Sequence, residues 1–210
     1  MSVQLLIIAV VAVMATLSCR REARHDASKA PAVTIDKGPS AAAPVTMEVF
    51  TTASLNGDIT TVKMALATPA VANYADPEGR TALMLAAFNG HAETAALLLD
   101  AGAKIDTRDQ TGRTALMYAC SGDNDATVAL LLKRGAGVNI ADSEEHWTAL
   151  MFAAAEGHGT EVRRLLDAGA DPMAADIDGD DSVKFARDRG FNELADFIAH
   201  AKERAKAKRK

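Results

Sequence analysis

Between residues 46 and 201, apolar side chains recur in paired short runs, each at helical spacing. Ala82, Leu83, Ala86 and Ala87 fall on one helical face, and Gly90 follows where a left-handed turn ends a helix. Ala95, Leu98 and Leu99 mark a return helix, which Gly102 closes. The pattern predicts two short antiparallel helices. Alanines on the first allow neighbouring units to approach closely, and leucines fill the space between layers. Such a pair cannot bury its apolar faces alone, so stability must come from stacking on neighbours.

The arrangement returns in register. TALMLAAFNGHAETAALLLDAGA begins at Thr81, TALMYACSGDNDATVALLLKRGA at Thr114 and TALMFAAAEGHGTEVRRLLDAGA at Thr148, at offsets of 33 and 34 residues. An aspartate precedes each at a similar distance (Asp76, Asp109, Asp142), and Asp176 opens the next unit. Degenerate units flank these three. In the last, the small position held by Ala87, Cys120 and Ala154 becomes Arg187, as suits a terminal cap.

This pattern resembles the ankyrin repeat, with its T-P-L-H-x-A-A start, G-H turn and V-x-x-L-L-x-x-G-A end. Here Ala replaces Pro and Met replaces His. The resemblance implies an all-α ankyrin repeat solenoid of about five helix-turn-helix repeats with hairpin-like finger loops. The repeats fall at 46–75, 76–108, 109–141, 142–175 and 176–201. Stacking predicts that replacing Leu99, Leu132 or Leu166 with Ala costs about 2–5 kcal/mol each. Two departures stand out. Asp123 occupies the place of Gly90, with Gly122 one position early, so the third turn should be altered. The finger before the fourth repeat has one extra residue, is acidic at Glu144 and Glu145, and carries His146-Trp147 where earlier fingers have Gly79-Arg80 and Gly112-Arg113.

Composition agrees with helices. Of the 210 residues 49% are apolar but only 4% aromatic, which disfavours a β-sandwich. Two cysteines fit neither a disulfide framework nor a zinc spacing. The net charge of −5 is unevenly spread: residues 46–201 hold 12 basic against 24 acidic side chains, while the tail 202–210 holds six basic and one acidic. So acidic a body excludes nucleic-acid binding through a basic face and suits a protein partner with a basic patch. The tail could contact anionic lipid.

Residues 3–17, VQLLIIAVVAVMATL, are short for a membrane span but fit the core of a secretory signal. The following ATLSC resembles a bacterial lipobox, which implies lipidation of Cys19. Thr16 stands in place of its usual leucine, no Lys or Arg precedes the run, and Arg20 and Arg21 follow it. Residues 1–19 are therefore a signal peptide or an uncleaved N-terminal membrane anchor. Residues 20–45, rich in Ala, Pro, Ser and charge, read as a disordered tether. The expected location is the cell envelope, membrane-anchored and facing the periplasm.

No catalytic constellation is legible. G-x-S-x-G, H-E-x-x-H and a glycine-rich phosphate loop are absent from the sequence. His91 and His158 occupy the family's Gly-His turn, which implies that they tie adjacent loops. Cys120 takes a small buried position, where a thiol is inert. Asp176, Asp178 and Asp180 suggest the start of a calcium loop, but Asp181 and Arg187 stand where its glycine and its bidentate glutamate are required, so a solvated finger is expected. The reading is a monomeric non-enzyme with no metal and no cofactor.

The resemblance implies binding of another protein on the concave face of fingers and inner helices. Leu85, Tyr118 and Phe152 hold matching exposed inner-helix positions there. Phe88 lies near them, as do the finger residues Arg80, Arg113, His146 and Trp147. Aromatic side chains flanked by arginines suit an interface core. Envelope ankyrin proteins of this layout include some linked to periplasmic catalase and peroxide defence. The expected function is a membrane-tethered protein-protein interaction scaffold. The alternatives are an immunity or inhibitor protein against a toxin, and a thiol-based redox sensor acting through Cys120.

Overall fold

The computed structural model describes residues 45–208. The proposed signal or anchor, most of the tether, Cys19 and the last two residues of the basic tail lie outside the described residues. Among the described residues ten α-helices form five antiparallel pairs. The inner helices are α1 (Met47–Asn56), α3 (Ala82–Phe88), α5 (Ala115–Cys120), α7 (Ala149–Glu156) and α9 (Ser182–Asp188). The outer helices are α2 (Ile59–Leu66), α4 (Ala92–Asp100), α6 (Asp125–Lys133), α8 (Gly159–Asp167) and α10 (Asn192–Lys208). Inner helices pack on inner helices and outer on outer, in chain order. Among the described residues there is no strand, only isolated antiparallel bridges at the bases of fingers, such as Ala75 with Thr81.

Side-chain caps start several of the helices. Thr81 holds extended backbone before α3, and its hydroxyl accepts from the Met84 N–H at 3.3 Å. Asp58 and Asp181 cap α2 and α9 in the same way. At the turn after α7, Gly157 takes φ 78°, and a Cβ there would sit 2.6 Å from the Phe191 ring. Backbone shape and next-layer packing both require glycine at that point. The third turn is altered as the sequence suggests: Asn124 caps α6 at φ −119°, and no left-handed residue intervenes.

Each finger is folded by its aspartate. Asp76 Oδ1 accepts from the N–H groups of Glu78 and Arg80, and Asp176 Oδ1 from those of Asp178 and Asp180. Asp109 does the same for Thr111 and Arg113. This committed oxygen is why an aspartate recurs ahead of every full repeat. Three fingers place a left-handed glycine at the tip (Gly79, Gly112, Gly179). In the longer fourth finger Asp142 Oδ1 accepts from Glu145 and Trp147, and His146 takes φ 59°. It is the one non-glycine residue in that region among the described residues.

The core is one continuous column of equivalent positions. Leu83, Leu116 and Leu150 are buried on the inner helices, and Leu98, Leu131, Leu165 and Ile198 on the outer ones. Thr81, Thr114 and Thr148 are buried at matching points of successive layers. One expectation needs correction: Leu99, Leu132 and Leu166 are only partly buried and pack against this column from its edge. The residue one place earlier in each helix points inward.

The two ends differ. At the last layer Arg187 is exposed and pairs with Asp196 at 3.4 Å. The helix α10 is 17 residues long, and Lys202 from it pairs with Asp181, the cap of α9. At the first layer Val49 and Met64 are 47% and 50% exposed. A shallow trough of about 410 Å³, lined by Glu48, Val49, Thr52 and Thr61, lies on that side.

Leu131→Ala should cost about 2–5 kcal/mol in urea denaturation, and Leu132→Ala clearly less. Burial raises the Asp181 carboxyl, but hydrogen bonds from Lys202 and from the Lys184 N–H outweigh it and hold the group below the usual carboxylate range. A group lowered in this way stabilises the fold above its unfolded value and loses that contribution as pH falls through its folded value. Lys202→Ala should therefore lower Tm at neutral pH, with the difference fading once acid titrates Asp181.

Candidate protein-binding face

The fingers and inner helices bring five of the predicted residues together. Arg80 donates through Nε to Asp76 Oδ2 at 2.8 Å, and its Nη2 lies 3.3 Å from Glu78 Oε2. The Arg113 guanidinium lies 5.3 Å from the Phe152 ring centre, with Nε 3.7 Å from Asp142 Oδ2. Tyr118 donates its hydroxyl to Asp109 Oδ2 at 2.7 Å. Burial and that bond push the phenol well above its ordinary range. Phe88 meets Tyr118 edge-to-face at 6.2 Å. Arg80, Phe88, Arg113, Tyr118 and Phe152 are all half-buried. The aspartates that fold the fingers thus also fix the side chains this face presents.

Three predicted residues take other positions. Leu85 and Trp147 are not exposed: each is 6% accessible. Leu85 belongs to the buried side chains of α3. Trp147 packs against Phe152 at 5.1 Å and Phe185 at 4.4 Å, covering the junction of the fourth and fifth layers. His146 is exposed on its left-handed backbone. It lines an open cleft of about 660 Å³ with Arg108, Asn139, Ser143, Ala174 and Ala175, none of which belongs to the five.

Sequence reasoning missed Phe185, although counting 33 residues on from Phe152 finds it. It also missed Asp109 and Asp142 as supports of Tyr118 and Arg113. The finger tips are tied in a row by backbone bonds. Gln110 N–H donates to Glu78 O at 3.1 Å, Ser143 to Thr111 at 2.8 Å, and Ile177 to Glu145 at 3.1 Å. Glu78, Glu144 and Asp178 stand exposed along this row, with Ile177 55% exposed beside them.

The turns are tied as well. His91 Nε2 lies 3.0 Å from Leu55 O, and His158 Nδ1 lies 3.2 Å from Cys120 O, each in the preceding layer. In the third repeat Asn124 takes the histidine's place and donates to Phe88 O at 2.9 Å. Cys120 is fully buried, and burial, helped by the Glu161 carboxylate, pushes its thiol far up. It carries no accessible nucleophile in the closed fold.

A family model for ankyrin repeats, three copies, matches residues 49–142 and again 102–176, more than half of the chain. The chain belongs to the ankyrin repeat family. Ankyrin repeats point to a protein-protein interaction module, which agrees with a face of fixed aromatic and arginine side chains. No curated protein matches the chain.

Because Trp147 is a core side chain of the ankyrin stack, Trp147→Ala should destabilise it by about 3–5 kcal/mol in thermal or urea unfolding. Tyr118→Phe removes a single hydrogen bond to a carboxylate and should cost about 1.5–3 kcal/mol.

Proposed function

We propose that this ankyrin protein is a non-enzymatic scaffold that binds one protein partner through Arg80, Phe88, Arg113, Tyr118 and Phe152. The observation that carries this reading is the way these groups are held. Each guanidinium and the phenol has a carboxylate partner on a finger, so little side-chain freedom remains to be lost on binding. Rigid aromatic and arginine anchors are the groups that dominate interface energetics. The acidic finger tips and the excess of acidic side chains over residues 46–201 favour a partner with a basic patch, drawn in by long-range attraction.

The same proposal places the domain in the bacterial cell envelope, held off a membrane by residues 1–45 and facing the periplasm. The apolar run 3–17, the cysteine after ATLS and the Ala-, Pro- and Ser-rich segment that follows support it. No helix among the described residues is long and apolar enough to cross a membrane.

Crosslinking from a photoreactive residue at Asn89, in cells of the source organism, tests the face. One discrete adduct is expected, and Arg80→Ala with Tyr118→Ala should weaken partner affinity at least tenfold while the fold survives. An undiminished adduct in the double variant contradicts the assignment. Raising salt should slow association more than it speeds dissociation. For the anchor, metabolic palmitate labelling is expected on the wild-type chain and lost in Cys19→Ser; labelling of neither chain argues against lipidation.

A further inference from the structure

The junction between the third and fourth helix pairs is built differently from its neighbours. Glu161 on α8 is 1% exposed, and its Oε1 has no hydrogen-bond partner. The same position holds Thr61, Thr94 and Thr127 in the first three pairs and Leu194 in the last. This row of side chains faces the preceding pair. One turn earlier on α8, His158 reaches back to Cys120 O on α5, and the Glu161 carboxylate acts on the Cys120 thiol. A carboxyl group therefore sits at the centre of an interface that elsewhere holds a threonine or a leucine.

The flanking junctions are keyed by rings. Phe88 meets Tyr118 across the second and third layers, and Trp147 meets Phe185 across the fourth and fifth. Among the described residues no ring-ring contact crosses between the third and fourth. The inner helix on one side of that junction, α5, is the shortest at six residues. Beside the core that runs through the junction, the two pairs are tied along the rim by the Arg164–Asp125 ion pair, Arg108 Nη2 donating to Ala141 O at 2.6 Å, Ser143 N–H to Thr111 O at 2.8 Å, and Arg113 over Phe152. Exposed ion pairs add little stability, whereas an unpartnered buried oxygen carries its full desolvation cost.

We infer that the array parts at this junction, the first three helix pairs and the last two opening as separate blocks while most of each block stays folded. The joint runs between Tyr118 and Phe152. If the binding face is as proposed above, its two halves can thus adjust their spacing to a partner.

Alkylation of Cys120 by N-ethylmaleimide reads the opening directly, because this thiol lies buried at the junction. It is followed on the full chain by mass spectrometry of the Cys120 peptide, alongside amide exchange of α3 and α4. Glu161→Leu removes the unpartnered oxygen at similar volume. It should slow Cys120 alkylation fivefold or more, and by a larger factor than it slows the best-protected α3 amides, since relieving one such group shifts an opening equilibrium about fivefold to a hundredfold. Glu161→Met, also without a hydrogen-bonding oxygen, carries the same expectation should the leucine variant not fold. A slowing below fivefold, or one matched by the α3 amides, overturns the inference. Because no partner is present, failure here leaves the binding reading untouched, and loss of the binding reading leaves the joint intact.

Discussion

A two-helix layer has one way to bury its second side, which is to lie against another layer. Everything regular in this molecule follows from that constraint. The inner helices carry alanine at Ala86, Ala87, Ala119, Ala153 and Ala154 because the next helix must come close. The column through Leu83, Leu116 and Leu150 is continuous because each leucine is covered partly by its own layer and partly by the next. The turn side chains His91, Asn124 and His158 spend their hydrogen bonds on carbonyls of the layer before them. Cohesion is thus passed from neighbour to neighbour, and few interactions reach further.

The fingers add a second economy. One carboxylate oxygen of Asp76 or Asp109 shapes the loop, and the other fixes a side chain on the presented face, Arg80 in one case and Tyr118 in the other. Loop geometry and surface chemistry are therefore coupled through a single residue. In the fourth finger this coupling crosses to the neighbouring layer. Asp142 still folds the loop, but its second oxygen lies near Arg113 of the previous finger, and Trp147 turns into the core.

The repeat period made the helices, the turns and the altered third turn legible from residue spacing alone. It also matched Arg80 with Arg113 and Tyr118 with Phe152, since positions 33 or 34 apart occupy equivalent places. Exposure was less legible. Leu85 and Tyr118 are equivalent in register, yet one is covered and the other half-open. The register says where a backbone position sits, not how far a bulky neighbour shields it. Leu98 and Leu99 show the same limit: both fit a helical stripe, and a rotation of the helix decides which of them faces inward. Trp147 looked like an anchor because tryptophan is common in interfaces; its burial depends on Phe152 and Phe185, which lie in other elements.

The unlike ends give the array a direction of growth. Thr61 at the first layer stands at the position of Thr94 and Thr127, and a shallow trough lined by Glu48, Val49, Thr52 and Thr61 lies beside it. At the far end a charged Arg187 takes the place of a small apolar residue, and Asp181, in the place of the capping threonines, is clasped by Lys202. A copied module could be spliced ahead of α1 with its own alanines meeting a compatible surface, whereas one added after α9 would have to displace an arginine and a long helix. Lengthening by duplication, in the laboratory or over generations, is open at one terminus and barred at the other.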